Sequence, residues 1–444
     1  YTIGAEGDLN LFGKPAPWNI YGQFGQAKLR EQLRDIMHLQ RTANAVNAVF
    51  AAAGNPGGYA PGTIVCAINV DANTANDDRS CVPLNRLGLG VASAAAIDYV
   101  LDDPYRDETL KQYVAGVNLS TTPFATWAGD VSIAVGAEYR RESIKGFVPV
   151  QFQPLITSTT TPTGVVNLTT NQWSVGNYLP SNGKYNVKEA YLEAVAPLGL
   201  GIELNGAARV TDYSSSGTVT TWKVGATWQL TEDVRFRVTR SRDIRAPNLA
   251  DLYAAGSSNS DAVSNPGGAG GTLNGITYTG TGISYSATVT GNPNLTPEKA
   301  DTWNIGAVFT PTFIPGLSVS ADYFRINIKD AIGSLSAQEI VNRCFLGNAD
   351  FCAAIRADPA SPTTRILIRS QPFNFASQLV RGFDFDASYR LPIADTGALT
   401  LRGLATYYLD NVTNQGIPNT LIFDTVGVNG GQGGTPKWIF RASA

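Results

Sequence analysis

The sequence predicts an all-β protein: part of an antiparallel transmembrane β-barrel with long extracellular loops and short periplasmic turns. Three observations carry this. Apolar and polar residues alternate with a period of two in segment after segment, the pattern of strands whose faces meet different surroundings. The apolar face is bracketed by aromatic residues. Connections alternate between short and long, as they do when every second one lies on the same side of a membrane.

Alternation marks segments near 1–12, 17–29, 111–124, 185–197, 300–310, 317–329 and 397–410. It is cleanest in four others. Val131, Ile133, Val135, Ala137 and Tyr139 oppose Ser132, Gly136, Glu138 and Arg140. Ile202, Leu204, Ala208 and Val210 oppose Glu203, Asn205, Arg209 and Thr211. Trp222, Val224, Ala226, Trp228 and Leu230 oppose Lys223, Thr227 and Gln229. Phe383, Phe385, Ala387, Tyr389 and Leu391 oppose Asp384, Asp386, Ser388 and Arg390. A further strand opens at Val234, with Val234, Phe236 and Val238 against Arg235, Arg237 and Thr239, and ends near Ala246-Pro247, where proline cannot donate to a ladder. Trp222 with Trp228, Trp303 with Phe309, and Phe383 with Tyr389 bracket apolar stretches that match a lipid slab once the strands tilt. A large soluble β-sandwich would share the alternation but not the turn asymmetry that follows.

Short links fall at Gly13–Pro17, Ala125–Gly129, Pro197–Gly201, Thr231–Asp233, Pro311–Gly316 and Pro392–Gly397. Long ones fall at roughly 31–110, 145–184, 245–299, 330–372 and 411–434, and only Ser214–Thr218 is short where a long link is due. Within the long loops, Ala27–Ala53, Ser93–Asp102 and Ser336–Arg356 read as partly helical. Segments 156–172 and 255–291, rich in Gly, Ser and Thr, are expected to be mobile.

Composition narrows the function. Only 16% of the 444 residues are charged and the net charge is −3, so no electrostatic case exists for a nucleic-acid partner. No apolar run reaches the roughly 20 residues that a membrane helix needs, which says nothing against a barrel. The four cysteines form two close pairs, Cys66/Cys81 and Cys344/Cys352, both in long polar loops. Such local pairs suggest disulfides in an oxidising compartment, the alternative being four unrelated buried thiols. No metal-ligand spacing, nucleotide fingerprint or nucleophile motif is present, so no catalytic, cofactor-binding or metal residue is assigned and the protein is read as a non-enzyme. The single histidine, His38, is read as a surface residue. Carboxylates on the polar strand faces read as a hydrated wall ion-paired with arginines, fit to line a passage or hold a polar plug.

Two motifs, SRDIRAPNLADLY and NPNLTPEKADTWNIG, strongly resemble the TonB-dependent outer-membrane receptors. Their most specific residues are Arg242, Arg245, Pro247, Asn248, Leu249, Asn292, Pro293, Leu295, Pro297 and Glu298. LSVSADYFRINIKDAI and LVRGFDFDASYRL add support, and the front half resembles the large-loop receptors of Sphingomonas- and Caulobacter-like bacteria.

The resemblance implies a bacterial outer-membrane location and a bilayer environment. It also implies active import of a scarce small nutrient (siderophore, vitamin or oligosaccharide) captured by extracellular loops, with energy from TonB acting through a plug. A passive porin or channel is the alternative. Residues 1–444 are expected to form one partial barrel domain lacking plug and closing strands, because both ends look cut. Candidate ligand contacts are the loop aromatics Tyr253, Tyr278, Tyr285 and Phe345, whose plainer role would be loop packing. Arg245 and Asn248 are expected to organise the strand-to-loop corner.

Overall fold

The computed structural model describes residues 1–161, 164–358, 361–393, 397–414, 422–429 and 434–444. One large antiparallel sheet dominates it. Its principal strands are β1 (Thr2–Leu11), β2 (Lys14–Gln32), β3 (Tyr105–Thr126), β4 (Gly129–Phe147), β5 (Asn182–Gly199), β6 (Ile202–Tyr213) and β7 (Gly217–Gln229). The second half contributes β8 (Val234–Arg245), β9 (Glu298–Phe309), β10 (Leu317–Gly333), β11 (Phe373–Ile393), β12 (Gly397–Asn414) and β13 (Trp438–Ser443). Each pairs with the next in chain order. This up-and-down meander contains every strand that the alternation predicts, most of them longer than the pattern alone suggested.

Tight turns are built where the sequence permits them. Phe12 and Gly13 both take positive φ (56° and 75°), the geometry that joins two right-twisted strands in two residues. Long connections leave from the opposite end. The register confirms the two faces: Val224 lies between Gly206 of β6 and Arg240 of β8, and Lys223 between Ala207 and Ser241. A one-residue slip would exchange the faces, so a continuous two-sided pattern pins the pairing. No helix among the described residues is long and apolar enough to cross a membrane, which says nothing of a β-barrel, whose crossings are strands.

The long connections fold above this wall. The first, between β2 and β3, carries α1 (Leu39–Val46), α2 (Ala94–Val100) and the Cys66–Cys81 disulfide. Between β8 and β9 lies α3 (Leu249–Tyr253), and between β10 and β11 lie α4 (Ala337–Phe345) and α5 (Ala349–Ala353) with the Cys344–Cys352 disulfide. These last two connections share one sheet. Ser257–Ser264 pairs with Gly282–Val289, which pairs in parallel with Arg365–Ser370, which pairs with Ile355–Ala357.

Several expectations change. Residues 27–32 are strand, not helix, because β2 continues against β3 with Arg30 opposite Asp107 and a bidentate ion pair at 2.7 Å. The 255–291 segment is not loose: its strands are held by pairing with a second loop. Segment 156–172 contributes a hairpin, Leu155–Thr161 with Gly164–Thr170, while residues 162–163 lie outside the described set.

Candidate functional site

The polar face of the wall is a hydrogen-bonded surface. Tyr21 Oη donates to Glu138 at 2.8 Å, Arg140 approaches Glu138 (3.6 Å) and Glu142 (3.2 Å), and Tyr185 Oη donates to Glu142 at 2.7 Å. Beside them Tyr191 Oη donates to Asn118 at 2.6 Å, and Arg209 reaches Glu189 at 3.1 Å while lying over the Tyr191 ring. In the second half, Arg237 holds Asp322 with two bonds of 2.7 and 2.5 Å, and Arg402 holds Asp386.

Several of these contacts skip a strand. Arg237 of β8 and Asp322 of β10 are both opposite Gly306 of β9, and the ion pair closes over that glycine. A Cβ at Gly306 would overlap the Asp322 carboxylate. The Asn118–Tyr191 bond crosses Gly136 of β4 in the same manner. Glycine in a strand normally weakens it; here its missing side chain lets long polar residues meet and lie flat against the wall. The result is a wall on which many donors and acceptors are paired with each other. No group of His, Cys, Asp and Glu suited to a metal exists among the described residues.

The motif residues converge at one corner, where β8 and β9 meet the loops. Arg245 binds Glu298 with bonds of 2.8 and 2.7 Å and reaches Asp251 at 3.3 Å. Asn248 caps α3 by accepting from the Asp251 amide, and Asp251 returns the bond to the Asn248 amide, a reciprocal capping box. Glu298 also accepts from the Ile332 amide at 2.5 Å, tying in β10. Pro247, Leu249, Leu295 and Pro297 are buried, and Leu249 and Leu295 join Leu252, Tyr185, Val187 and Tyr213 in one cluster. Asn292 accepts from the Asn294 amide and donates to the Pro372 carbonyl, while Pro293 is exposed. Arg242 stands apart. It lies on the apolar face, paired with Asp301.

The candidate ligand aromatics divide. Tyr278 and Tyr285 are 1% and 9% exposed and belong to the core of the shared loop sheet, with Ile283, Ile340, Val341, Ile366 and Ile368. In this arrangement both side chains pack within that core. Tyr253 is half-buried against β5 and donates to the Lys184 carbonyl at 3.1 Å. Phe345 remains open, 45% exposed, whereas Ile340 and Val341 on the same helix are buried.

The first loop has its own anchor, which the sequence reading missed. His38 caps α1 by accepting from the Arg41 amide at 3.3 Å, and its ring meets the buried Trp173 edge-on at 4.8 Å. It is thus a half-buried joint between two loops, not a plain surface residue. Burial and the nearby Arg41 charge lower its pKa. In the same loop, burial and a hydrogen bond to Asp78 push the Tyr99 hydroxyl up to about 12. The cue for His38 was present, a polar residue three positions ahead of Arg41 at a helix start, but its partner Trp173 is far away in sequence.

The comparisons agree with this architecture. The family model described as TonB dependent receptor-like, beta-barrel matches residues 23–444. Among solved structures, the chain is similar to a double mutant of the ferric enterobactin receptor (PfeA) of Pseudomonas aeruginosa. That match has 15% identity and a TM-score of 0.54, covering 100% of this chain and 46% of the other. The same receptor in complex with BCV-L6 matches at 15% identity with a TM-score of 0.55, covering 99% and 46%. The chain therefore spans about half the length of these receptors.

Proposed function

Because this chain belongs to the TonB-dependent receptor β-barrel family, we propose that it supplies barrel wall and loops to an active importer of a small scarce nutrient. The wall stands in the bacterial outer membrane. In this reading the loops capture the nutrient, a siderophore, vitamin or oligosaccharide, and a plug passes it inward with energy delivered through TonB.

The observation that carries the reading is the paired polar lining beneath an ordered loop cap. A lining in which many charges are already matched, as in Arg237–Asp322 and Arg402–Asp386, lets a polar plug or ligand pass while facing less unpaired charge. Two disulfides restrict the loops, so less conformational entropy is lost when a ligand is caught. Of the four loop aromatics, Phe345 and Tyr253 are the more open to that contact.

The test uses the whole receptor in liposomes, with arabinose as osmotic probe, and deletion strains of the source bacterium. The proposal expects no liposome swelling. It also expects loss of the receptor gene and loss of tonB to cause the same growth defect on one of the three nutrient classes. Rapid swelling, or uptake that survives loss of tonB, would establish a passive channel instead.

A further inference from the structure

The apolar face of β8–β11 carries a cluster of cations immediately above its aromatic row. The register gives the arrangement. Val238, Ile305, Tyr323, Phe383, Tyr407 and Trp438 occupy one row across β8 to β13. Two residues further toward the loops, the next row reads Arg240, Trp303, Arg325, Arg381. Above it stand Arg242, Asp301 and Asn327, and above these Lys299 opposite Lys329. Parity places all six cations on the same side as Val238 and Phe383, turned away from the polar lining.

Two carboxylates accompany them, too few to neutralise the patch. Asp301 takes Arg242 at 2.9 Å and Arg240 at 3.7 Å, and Asp410 takes Arg381. Among the described residues, Lys299, Arg325 and Lys329 form no salt bridge. Arg240 lies over the Trp303 ring at 5.2 Å, which fixes its guanidinium against the wall. Cations inside the hydrocarbon layer are costly, whereas at its edge they draw anionic lipid, and arginine forks match oxyanions geometrically.

We infer that this patch is a binding site for the anionic headgroup of an outer-leaflet lipid, with Arg325, Lys299 and Lys329 as its principal unpaired contacts. The leaflet follows from topology: the patch sits at the end of β8 and β10 from which the long loops depart. The occupant follows from charge complementarity and from the aromatic row below, which seats acyl chains while the cations meet the headgroup. Such a lipid would bridge four strands beside the motif corner, since Arg245 continues the same strand as Arg240 and Arg242.

Native mass spectrometry of the whole receptor tests this, with phosphatidylglycerol, phosphatidylcholine or inorganic phosphate added separately. Wild type should retain phosphatidylglycerol in preference to phosphatidylcholine and should not retain free phosphate. Replacing only the unpaired cations, K299Q/R325Q/K329Q, strands no carboxylate and should reduce that preference by at least about tenfold. The lining variant K223Q/R235Q should keep it. Equal retention of both lipids by wild type, an unchanged preference in the triple variant, equal loss in the lining variant, or retention of free phosphate would each overturn the site.

Discussion

The wall and the loop cap use the same kinds of residue in opposite ways. In the wall, Ile3, Leu192, Val224 and Ile305 are 80%, 50%, 58% and 49% exposed. In the cap, Tyr278, Ile283 and Ile366 are at most 1% exposed, and two further buried clusters surround Trp173 and Tyr99. Burial of apolar area in water drives the cap to fold around cores of its own. Among the described residues the wall contributes buried apolar side chains to a cluster only at its loop end, where Tyr185, Val187 and Tyr213 meet α3; elsewhere its apolar surface faces lipid and its strands are held by ladder bonds and by the polar lining. A contiguous apolar face of that extent could not remain open to water. Each region therefore records the solvent in which it folds.

The comparison breaks most readily at the centre of the cap. Tyr278→Ala should cost about 3–5 kcal/mol locally, the range for removing a large buried aromatic. Hydrogen exchange should show the loss in residues 257–289 and 335–368 while β1–β13 keep their protection. Loss of protection throughout would mean that wall and cap form one cooperative unit.

A substitution on the lipid face sharpens the other side. Val224→Arg should cost about 2–4 kcal/mol in refolding into bilayers if the site lies near the midplane. The neighbouring lining change Lys223→Arg should be close to neutral. A neutral outcome at Val224 would place that face in water and remove the basis of the contrast.

The two regions also differed in how much the sequence disclosed. The wall was legible because alternation is local: each strand states its own faces, and turn lengths state the order. Its one misreading, residues 27–32, arose where good helix formers were overruled by a ladder to residues more than seventy positions away. The cap was mostly illegible for that same reason. Its central sheet joins Gly282–Val289 to Arg365–Ser370 in parallel, a pairing that neither segment announces. Tyr278 and Tyr285 consequently looked like exposed loop aromatics. The cysteine pairs were an exception, being close in sequence and confined to the loops. At the motif corner the sequence indicated which residues belong together, and Arg245 with Asn248 organises it as expected. Arg242, three residues before Arg245, has the parity of Val234, Phe236 and Val238 and so turns outward, although the motif groups it with residues of the corner.

The smallest expected effect probes whether the cap is one unit or several. His38 has a lowered pKa, so the folded first loop favours the neutral ring. Its contribution is complete above the ordinary histidine value of 6.5 and declines as pH falls through that value toward the folded one. Protonation would also convert the Nδ1 acceptor that caps α1 into a donor facing the Arg41 amide. Acidification from pH 8 to 5 should therefore lower exchange protection in residues 36–46 and 172–178, with the loop sheet around Tyr278 unchanged. His38→Asn keeps a capping oxygen without a titrating ring and should flatten that dependence. If wild type and variant respond alike, the pH response lies elsewhere; if the loop sheet loosens together with the His38 joint, the cap behaves as a single body, and the contrast reduces to wall against cap alone.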